Sequence, residues 1–174
     1  IRRSGKVGSF VHTVAPEFAN RPVNYASFLD ACRFCNWLHN GQGDGDTETG
    51  AYTLLNYNGY DGRRIQRNPG ARFFVPTDDE WYKAAYFDAK KPGGPGYWKY
   101  PTRSDTKPGR DTGSSNAANW FTDSFLDPVH FLLEVGSFSR ASSAYGTFDQ
   151  GGNIAEWTEG LTPPFLRTLR GGAF

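Results

Sequence analysis

The sequence predicts one α+β domain, residues 1–174, with little regular secondary structure, two main helices and short antiparallel strands. Glycine (21) and proline (11) exceed average usage and are spread along the chain, which is typical of a fold with many turns. Aromatic residues make up 16% of the chain, so large rings can fill a core although only 37% of residues are hydrophobic. A length of 174 residues fits one domain rather than two.

The first helix is expected at residues 25–39, where apolar side chains recur at intervals of three and four residues. Either Asn24 or Ser27 can cap its start, and the pair Asn40-Gly41 is a typical stop signal. The second helix is expected to begin after Thr77, because Thr77 and Glu80 have the spacing of a capping box. We expect it to end near Lys91-Pro92.

The remaining chain is expected to be extended or looped. Residues 1–24 look extended, and short strands are predicted at 51–56 and 72–75, separated by a turn at 58–62. Residues 88–118 form a long segment rich in glycine, proline and serine, which is typical of a loop packed by its own aromatic residues.

Net charge and hydropathy argue against nucleic acid as a partner and against a membrane-spanning segment. The net charge is +1 and no basic stripe occurs, so we do not expect nucleic acid as a partner. No apolar stretch approaches the roughly 18 residues of a membrane helix, so we expect no membrane span. The sequence shows no signal peptide and lacks an initial methionine. Because it also ends abruptly at Phe174, we expect truncation at both ends.

The two cysteines, Cys32 and Cys35, lie in the first predicted helix. A zinc site would need a second such pair, which the sequence lacks. The favoured interpretation is that one or both are core residues; a disulfide to a segment outside the sequence stays open. The acidic loop 41–50 alternates Asp44, Asp46 and Glu48 but lacks the EF-hand glycine and final glutamate, so a solvated turn is favoured there.

The glycine-rich loop at residues 146–157, GTFDQGGNIAEW, contains the ligand types that calcium prefers. Asp149 and Glu156 supply anionic oxygens, and two adjacent glycines let the backbone turn its carbonyls inward. The alternative is a tight turn in which Asp149 and Asn153 bond their own backbone. No serine–histidine–acid triad and no phosphate-binding loop is indicated, so no catalytic residue is predicted.

Five motifs resemble the formylglycine-generating enzyme family, also called sulfatase-modifying factors, and occur in that family's order. The main one is the loop GTFDQGGNIAEW, followed by LRGGAF at 169–174. The others are RPVN (21–24) leading to FCNWL (34–38), FVPTDDEW (74–81), ANW (118–120) and VGSF (135–138). The resemblance covers roughly residues 21–174 and is strongest to a bacterial secreted branch.

This resemblance implies a C-type-lectin-like fold with bound calcium. A first calcium set would comprise the Asp149 side chain, the carbonyls of Gly152 and Ile154, and the Glu156 side chain. A second calcium set would comprise the Asn119 side chain, the Trp120 carbonyl, the Asp127 side chain and the Val129 carbonyl, with Asp123 as a rival for Asp127.

The sequence also departs from the catalytic members of that family. Their two copper-binding cysteines follow the Arg-Gly-Gly turn, whereas this sequence ends at Phe174, before that place. Ala155 stands where the family has tryptophan. We therefore interpret the chain as a noncatalytic, calcium-stabilised, secreted or extracellular bacterial domain for binding or structural assembly, with a protein or glycan partner. The alternative is a formylglycine-generating oxidase acting on sulfatase cysteines, whose copper-binding cysteines lie beyond residue 174.

Three structural expectations follow from the motifs. Trp81, Trp157 and Phe148 should be largely buried, and residues 169–172 should lie beside residues 151–156. In the family resembled, the C-terminal strands complete a sheet, which we expect to be cut short here.

Overall fold

The computed structural model describes residues 2–6, 9, 11–55, 57, 62–162 and 166–174. Within these residues the chain forms two α-helices, one 3₁₀ turn and six short strands. In chain order they are β1 (Arg2–Ser4), β2 (Val11–Thr13), the 3₁₀ turn (Pro16–Phe18), α1 (Phe28–His39), α2 (Asp78–Tyr86), β3 (Phe87–Asp88), β4 (Gly96–Tyr97), β5 (Glu156–Thr162) and β6 (Leu166–Arg170). The predicted α+β class with little regular structure is confirmed.

The strands form three antiparallel two-stranded sheets, in which β1 pairs with β2, β3 with β4, and β5 with β6. The third sheet pairs Glu156 with Arg170 and Trp157 with Leu169. The predicted contact between residues 169–172 and residues 151–156 is therefore confirmed. The extended segment expected at residues 1–24 is found in part, since a 3₁₀ turn interrupts it; Val7 and Phe10 lie outside the described residues.

Helix α1 begins three residues later than predicted because Ser27 is its cap. The Ser27 hydroxyl accepts a bond from the backbone N–H of Asp30, and the Asp30 side chain bonds back to Ser27, which completes a capping box. The helix ends at His39 as predicted, followed by Asn40 and then Gly41 at φ +88°. Its buried face contains Phe28, Cys32, Cys35 and Asn36.

Helix α2 has the predicted capping box between Thr77 and Glu80. It ends at Tyr86, well before the predicted end near Lys91-Pro92. The prediction of the end is wrong because Phe87 adopts an extended conformation and β3 pairs with β4 instead of continuing the helix. Trp81 is 3% exposed, as predicted.

The strands predicted at 51–56 and 72–75 are absent from the described residues, where Tyr52 forms only an isolated bridge with Arg67. Side chains take the place of a strand ladder. The Asn36 amide accepts from the Tyr52 N–H (2.7 Å) and donates to the Tyr52 carbonyl (3.0 Å), and the Tyr52 hydroxyl accepts from the Val75 N–H (2.9 Å). The N–H and carbonyl of Tyr52 and the N–H of Val75 thus have hydrogen-bond partners without a sheet. Asn56 and the predicted turn at 58–61 lie outside the described residues.

The main core packs around α1, and a partly buried ion pair connects it to β5. Its buried members are Phe28, Cys32, Cys35, Ala51, Tyr52, Leu54, Ile65 and Val75. Glu159 of β5 accepts from the Tyr52 hydroxyl (2.6 Å) and lies 3.0 Å from the Arg67 guanidinium. Arg170 of β6 binds Asp78 at the start of α2. These contacts fix β5 and β6 against α2, and thereby position the start of β5.

Candidate calcium site

The loop at residues 146–157 is held in place by a close approach that only glycine allows. The Gly152 N–H donates to the Gly171 carbonyl (2.8 Å), which joins the loop to the segment after β6. Gly152 has φ +104°, and a Cβ built there would lie 2.1 Å from the Asn119 carbonyl oxygen. Asp149 and Asn153 also have positive φ values, 58° and 61°, so the loop is tightly wound at three positions.

The predicted burial of the loop's aromatic residues is confirmed only in part. Trp157 is partly buried, packs against the main core and donates its indole N–H to the Ala26 carbonyl (2.9 Å). Phe148 is 44% exposed, so that prediction is wrong. Gln150 takes the interior position instead, at 8% exposure, because the left-handed turn at Asp149 separates the two side chains.

Two acidic side chains of this loop, Asp149 and Glu156, are partly buried and interact electrostatically. Burial raises the pKa of Asp149. Burial also raises the pKa of Glu156, and the charge of Asp149 adds to that rise, while a hydrogen bond from Trp81 opposes it. The Trp81 indole N–H lies 2.5 Å from Glu156 Oε2. Among the residues that the structure describes, no lysine, arginine or histidine forms an ion pair with either carboxylate.

These donors fit a hard divalent cation. Carboxylates that are buried without a cation gain stability from one. The described part of the chain brings no three His, Cys, Asp or Glu side chains together, so a shell here would need backbone carbonyls as well. The Gly152 carbonyl accepts from the Ile154 N–H (2.8 Å) and retains a second lone pair. Oxygen-only ligands of this kind favour calcium. The ligand assignment of the first calcium set stays a prediction.

The second calcium set has different surroundings. Asp127 accepts N–H bonds from Val129 (2.9 Å) and His130 (3.0 Å) through Oδ1, while its Oδ2 lies 2.9 Å from the Arg21 guanidinium. Hydrogen bonding, first from the His130 backbone, holds the pKa of Asp127 well below its usual range. The rival Asp123 is exposed, as is Val129. The assignment of this set also stays a prediction, but its one anionic ligand already has a cation.

Two buried asparagines join the two sets. The Asn153 N–H donates to the Asn119 carbonyl (2.7 Å), and the Asn119 amide donates to Asn153 Oδ1 (3.0 Å) and to the Phe131 carbonyl (2.9 Å). Asn153 Oδ1 also accepts from the Leu133 N–H (2.9 Å). Sequence reasoning assigned Asn153 only to a local turn and did not place Trp81 at the loop. Asparagine often adopts positive φ in turns, so the turn at Asn153 could be predicted from its residue type. Its contacts with Asn119 and Leu133 could not, because they join segments that are distant in sequence.

Both cysteines are core residues in this structure. Cys32 and Cys35 are free thiols, 0% and 8% exposed, and pack in the main core. Burial raises the pKa of Cys32 to about 12 and that of Cys35 to about 11. Both groups are therefore protonated at neutral pH, which makes them poor nucleophiles and poor metal ligands.

The side chains and carbonyls of the acidic loop 41–50 form ion pairs and hydrogen bonds with helix α1, with Asn40 and within the loop itself. Glu48 pairs with Arg33 (2.7 Å), and one Asp46 oxygen accepts from the Glu48 N–H (3.0 Å). Asn40 donates to the carbonyls of Asp46 (2.7 Å) and Thr49 (2.8 Å). These contacts agree with the expected turn.

Comparison with known proteins gives one match. The family model of the sulfatase-modifying factor enzyme 1-like domain (FGE-sulfatase) matches residues 4–174. Searches of curated proteins and of solved structures returned no significant match. None of the helices in the described ranges is long and apolar enough to cross a membrane. Because the family model covers nearly the whole sequence, the chain belongs to the family of sulfatase-modifying factor enzyme 1-like domains.

Proposed function

We propose that this chain is a noncatalytic domain, stabilised by calcium at the first calcium set, that serves binding or structural assembly outside the cell. The observation that carries the proposal is the carboxylate pair of Asp149 and Glu156, which is partly buried and has no cation among the described residues. Each ionised carboxylate raises the cost of ionising the other, so a divalent cation between them would relieve both desolvation and repulsion.

The chain's own residues prepare the loop for such an ion. The Trp81 indole N–H orients one oxygen of Glu156, and the pairing of β5 with β6 fixes the backbone at that residue. The contact of Gly152 with Asn119 holds the turn whose carbonyls would complete the shell. Calcium would add a charge of +2 at this place and lower the pKa of both carboxyl groups.

Chelation tests the calcium proposal through thermal stability. A ligand that binds only the folded state at about 100 times its Kd contributes about 2.7 kcal/mol, which for a domain of this size corresponds to a rise of roughly 5–10 °C in Tm. We expect this rise when calcium replaces EGTA with the unmodified chain, and no rise with Glu156→Gln.

Glu134→Gln is the matched control, because Glu134 is an exposed carboxylate in a neighbouring loop and should leave the calcium response intact. An unchanged Tm on chelation of the unmodified chain would reject the proposal. So would an equal response in Glu156→Gln.

The noncatalytic part of the proposal is supported by the resemblance to the secreted branch, and neither cysteine in the chain is placed to supply a copper ligand. The catalytic members of the family resembled use a pair of copper-binding cysteines, whereas Cys32 and Cys35 are buried in the core and protonated. We expect neither thiol to react with a disulfide reagent in the native state, and both to react in denaturant. Rapid modification of the folded chain would show that these thiols are accessible and would contradict their burial in the core.

A formylglycine-generating oxidase is the second candidate, favoured by the match to a family model whose description names an enzyme. The test is the protein as its gene encodes it, loaded with copper and incubated with a sulfatase-type cysteine peptide. Conversion of that cysteine to formylglycine would establish the oxidase and reject the noncatalytic proposal. The proposal also includes a bacterial, secreted origin, which is supported only by the motifs that resemble a bacterial secreted branch of the family.

A further inference from the structure

The carboxylate of Asp127, in the segment that would hold the second calcium set, forms hydrogen bonds or ion pairs through both of its oxygens. Its Oδ1 accepts the backbone N–H groups of Val129 and His130, and its Oδ2 lies 3.0 Å from His130 Nδ1 and 2.9 Å from Arg21 Nη2. Two oxygens of a carboxylate offer about four lone-pair positions, and four donors occupy them here.

The guanidinium of Arg21 is surrounded by oxygen atoms. Besides Asp127, it donates through Nη1 to the Leu132 carbonyl and through Nε to the Glu17 carbonyl (2.8 Å). The side chains of Arg21 and Asp127 are only 11% and 19% exposed, so little water reaches the pair. Oxygen ligands from a side chain and from carbonyls are the ligands that a calcium ion would use.

We propose that Arg21 is a built-in cation for residues 127–132, so that Asp127 is not a metal ligand and the chain takes one calcium ion rather than two. The part about the single ion rests on the proposed function. A calcium ion on Asp127 would either face the guanidinium across a few ångströms or displace it. The first alternative is a like-charge repulsion, and the second leaves a shielded positive charge without its partner.

Calcium stoichiometry distinguishes this inference from the proposed function. Equilibrium dialysis against calcium, with metal content measured by atomic emission, should give one ion per chain for the unmodified protein and none for Glu156→Gln. Asp127→Asn should still bind one ion, with affinity within about twofold of the unmodified chain. Two ions per unmodified chain would overturn the inference, as would a tenfold or greater loss of affinity in Asp127→Asn.

A double-mutant cycle in EGTA tests the role of Arg21 without any metal. We expect Arg21→Gln and Asp127→Asn each to lower Tm by about 5 °C, and the double variant to lower it by about the same amount as one of them. Arg21→Lys keeps the positive charge and should therefore lower Tm by less than Arg21→Gln. Additive effects of the two substitutions would overturn the inference. If the unmodified protein binds no calcium, the proposed function fails, whereas this cycle still decides whether Arg21 neutralises Asp127.

Discussion

The loop at residues 119–133 and the loop at residues 146–157 both contain a carboxylate assigned to a predicted calcium set, but they differ in the source of positive charge. Asp127 in the first loop pairs with Arg21 at 2.9 Å. Asp149 and Glu156 in the second have raised pKa values and no ion pair in the described part of the chain. The same contrast occurs within β5, where Glu159 pairs with Arg67 three residues after Glu156.

Acidic residue type alone therefore does not identify a metal ligand. Arg21 and Arg67 lie far in sequence from the carboxylates they neutralise, so no local pattern around Asp127 or Glu159 reveals them. What distinguishes a candidate ligand is the lack of a positively charged partner after folding. Substitutions that disturb each kind of carboxylate therefore test this contrast.

The largest expected effect comes from the contact that joins the two loops. Gly152→Ala forces a Cβ to within 2.1 Å of the Asn119 carbonyl oxygen, so we expect a loss of about 4 kcal/mol in the free energy of unfolding. Gly146→Ala is the control, because Gly146 also has positive φ (+78°) but no atom within 4 Å of the added Cβ. It should lose only about 1 kcal/mol. Equal losses in urea unfolding would show that backbone strain, not the contact, dominates.

A smaller effect is expected when an internal cation is removed. Arg67→Met leaves both Glu159 and the more exposed Glu80 without their guanidinium partner, and it should lower the free energy of unfolding by about 2 kcal/mol, since Glu159 is mostly buried. Adding Glu159→Gln should recover part of the loss. Arg140→Met, at an exposed position, serves as the control. If the second substitution in β5 instead deepens the loss, the carboxylate of Glu159 does not depend on Arg67 as the contrast requires.

The smallest effect is a difference in pH dependence. Glu156 has a raised pKa in the folded state, so it binds its proton more tightly there than in the unfolded chain. Folding stability from this group is therefore lost as pH rises above its ordinary value of 4.5. In EGTA, we expect the Tm of the unmodified chain to fall relative to Glu156→Gln between about pH 4.5 and pH 7, by on the order of 2 °C. In calcium at pH 7, the unmodified chain should instead have a higher Tm than Glu156→Gln. A constant difference across pH in EGTA would contradict the assigned shift.

The start of α2 could be predicted from sequence because capping is local, and for α1 the cap Ser27 was one of the two candidates although the helix was predicted to begin three residues too early. Thr77 and Glu80 lie within one turn of each other, and their contact needs no distant residue. The end of α2 was missed because β3 leaves the helix to pair with Gly96–Tyr97, a contact across a loop. The strands predicted near Tyr52 and Val75 failed for a similar reason, since Asn36 and the Tyr52 hydroxyl satisfy that backbone from elsewhere in the chain.

The candidate site could be predicted by residue type but not by environment. Asp149, Gly152 and Glu156 could be named because the glycine-rich pattern is local and resembles a known family motif. The proximity of Trp81 to Glu156, and the bridge between Asn119 and Asn153, arise only when separate segments pack together. The neutralised state of Asp127 likewise depends on Arg21, which no spacing rule connects to it.

Terbium luminescence tests whether the loop at residues 146–157 binds a cation, because Tb³⁺ prefers the same oxygen ligands as calcium and Trp81 contacts Glu156. On excitation of tryptophan, the account predicts sensitised terbium emission from the unmodified chain, displaced by added calcium and lost in Glu156→Gln but retained in Asp127→Asn. Emission that is absent from the unmodified chain, or equal in Glu156→Gln, would contradict the claim that the loop at residues 146–157 takes its cation from solution.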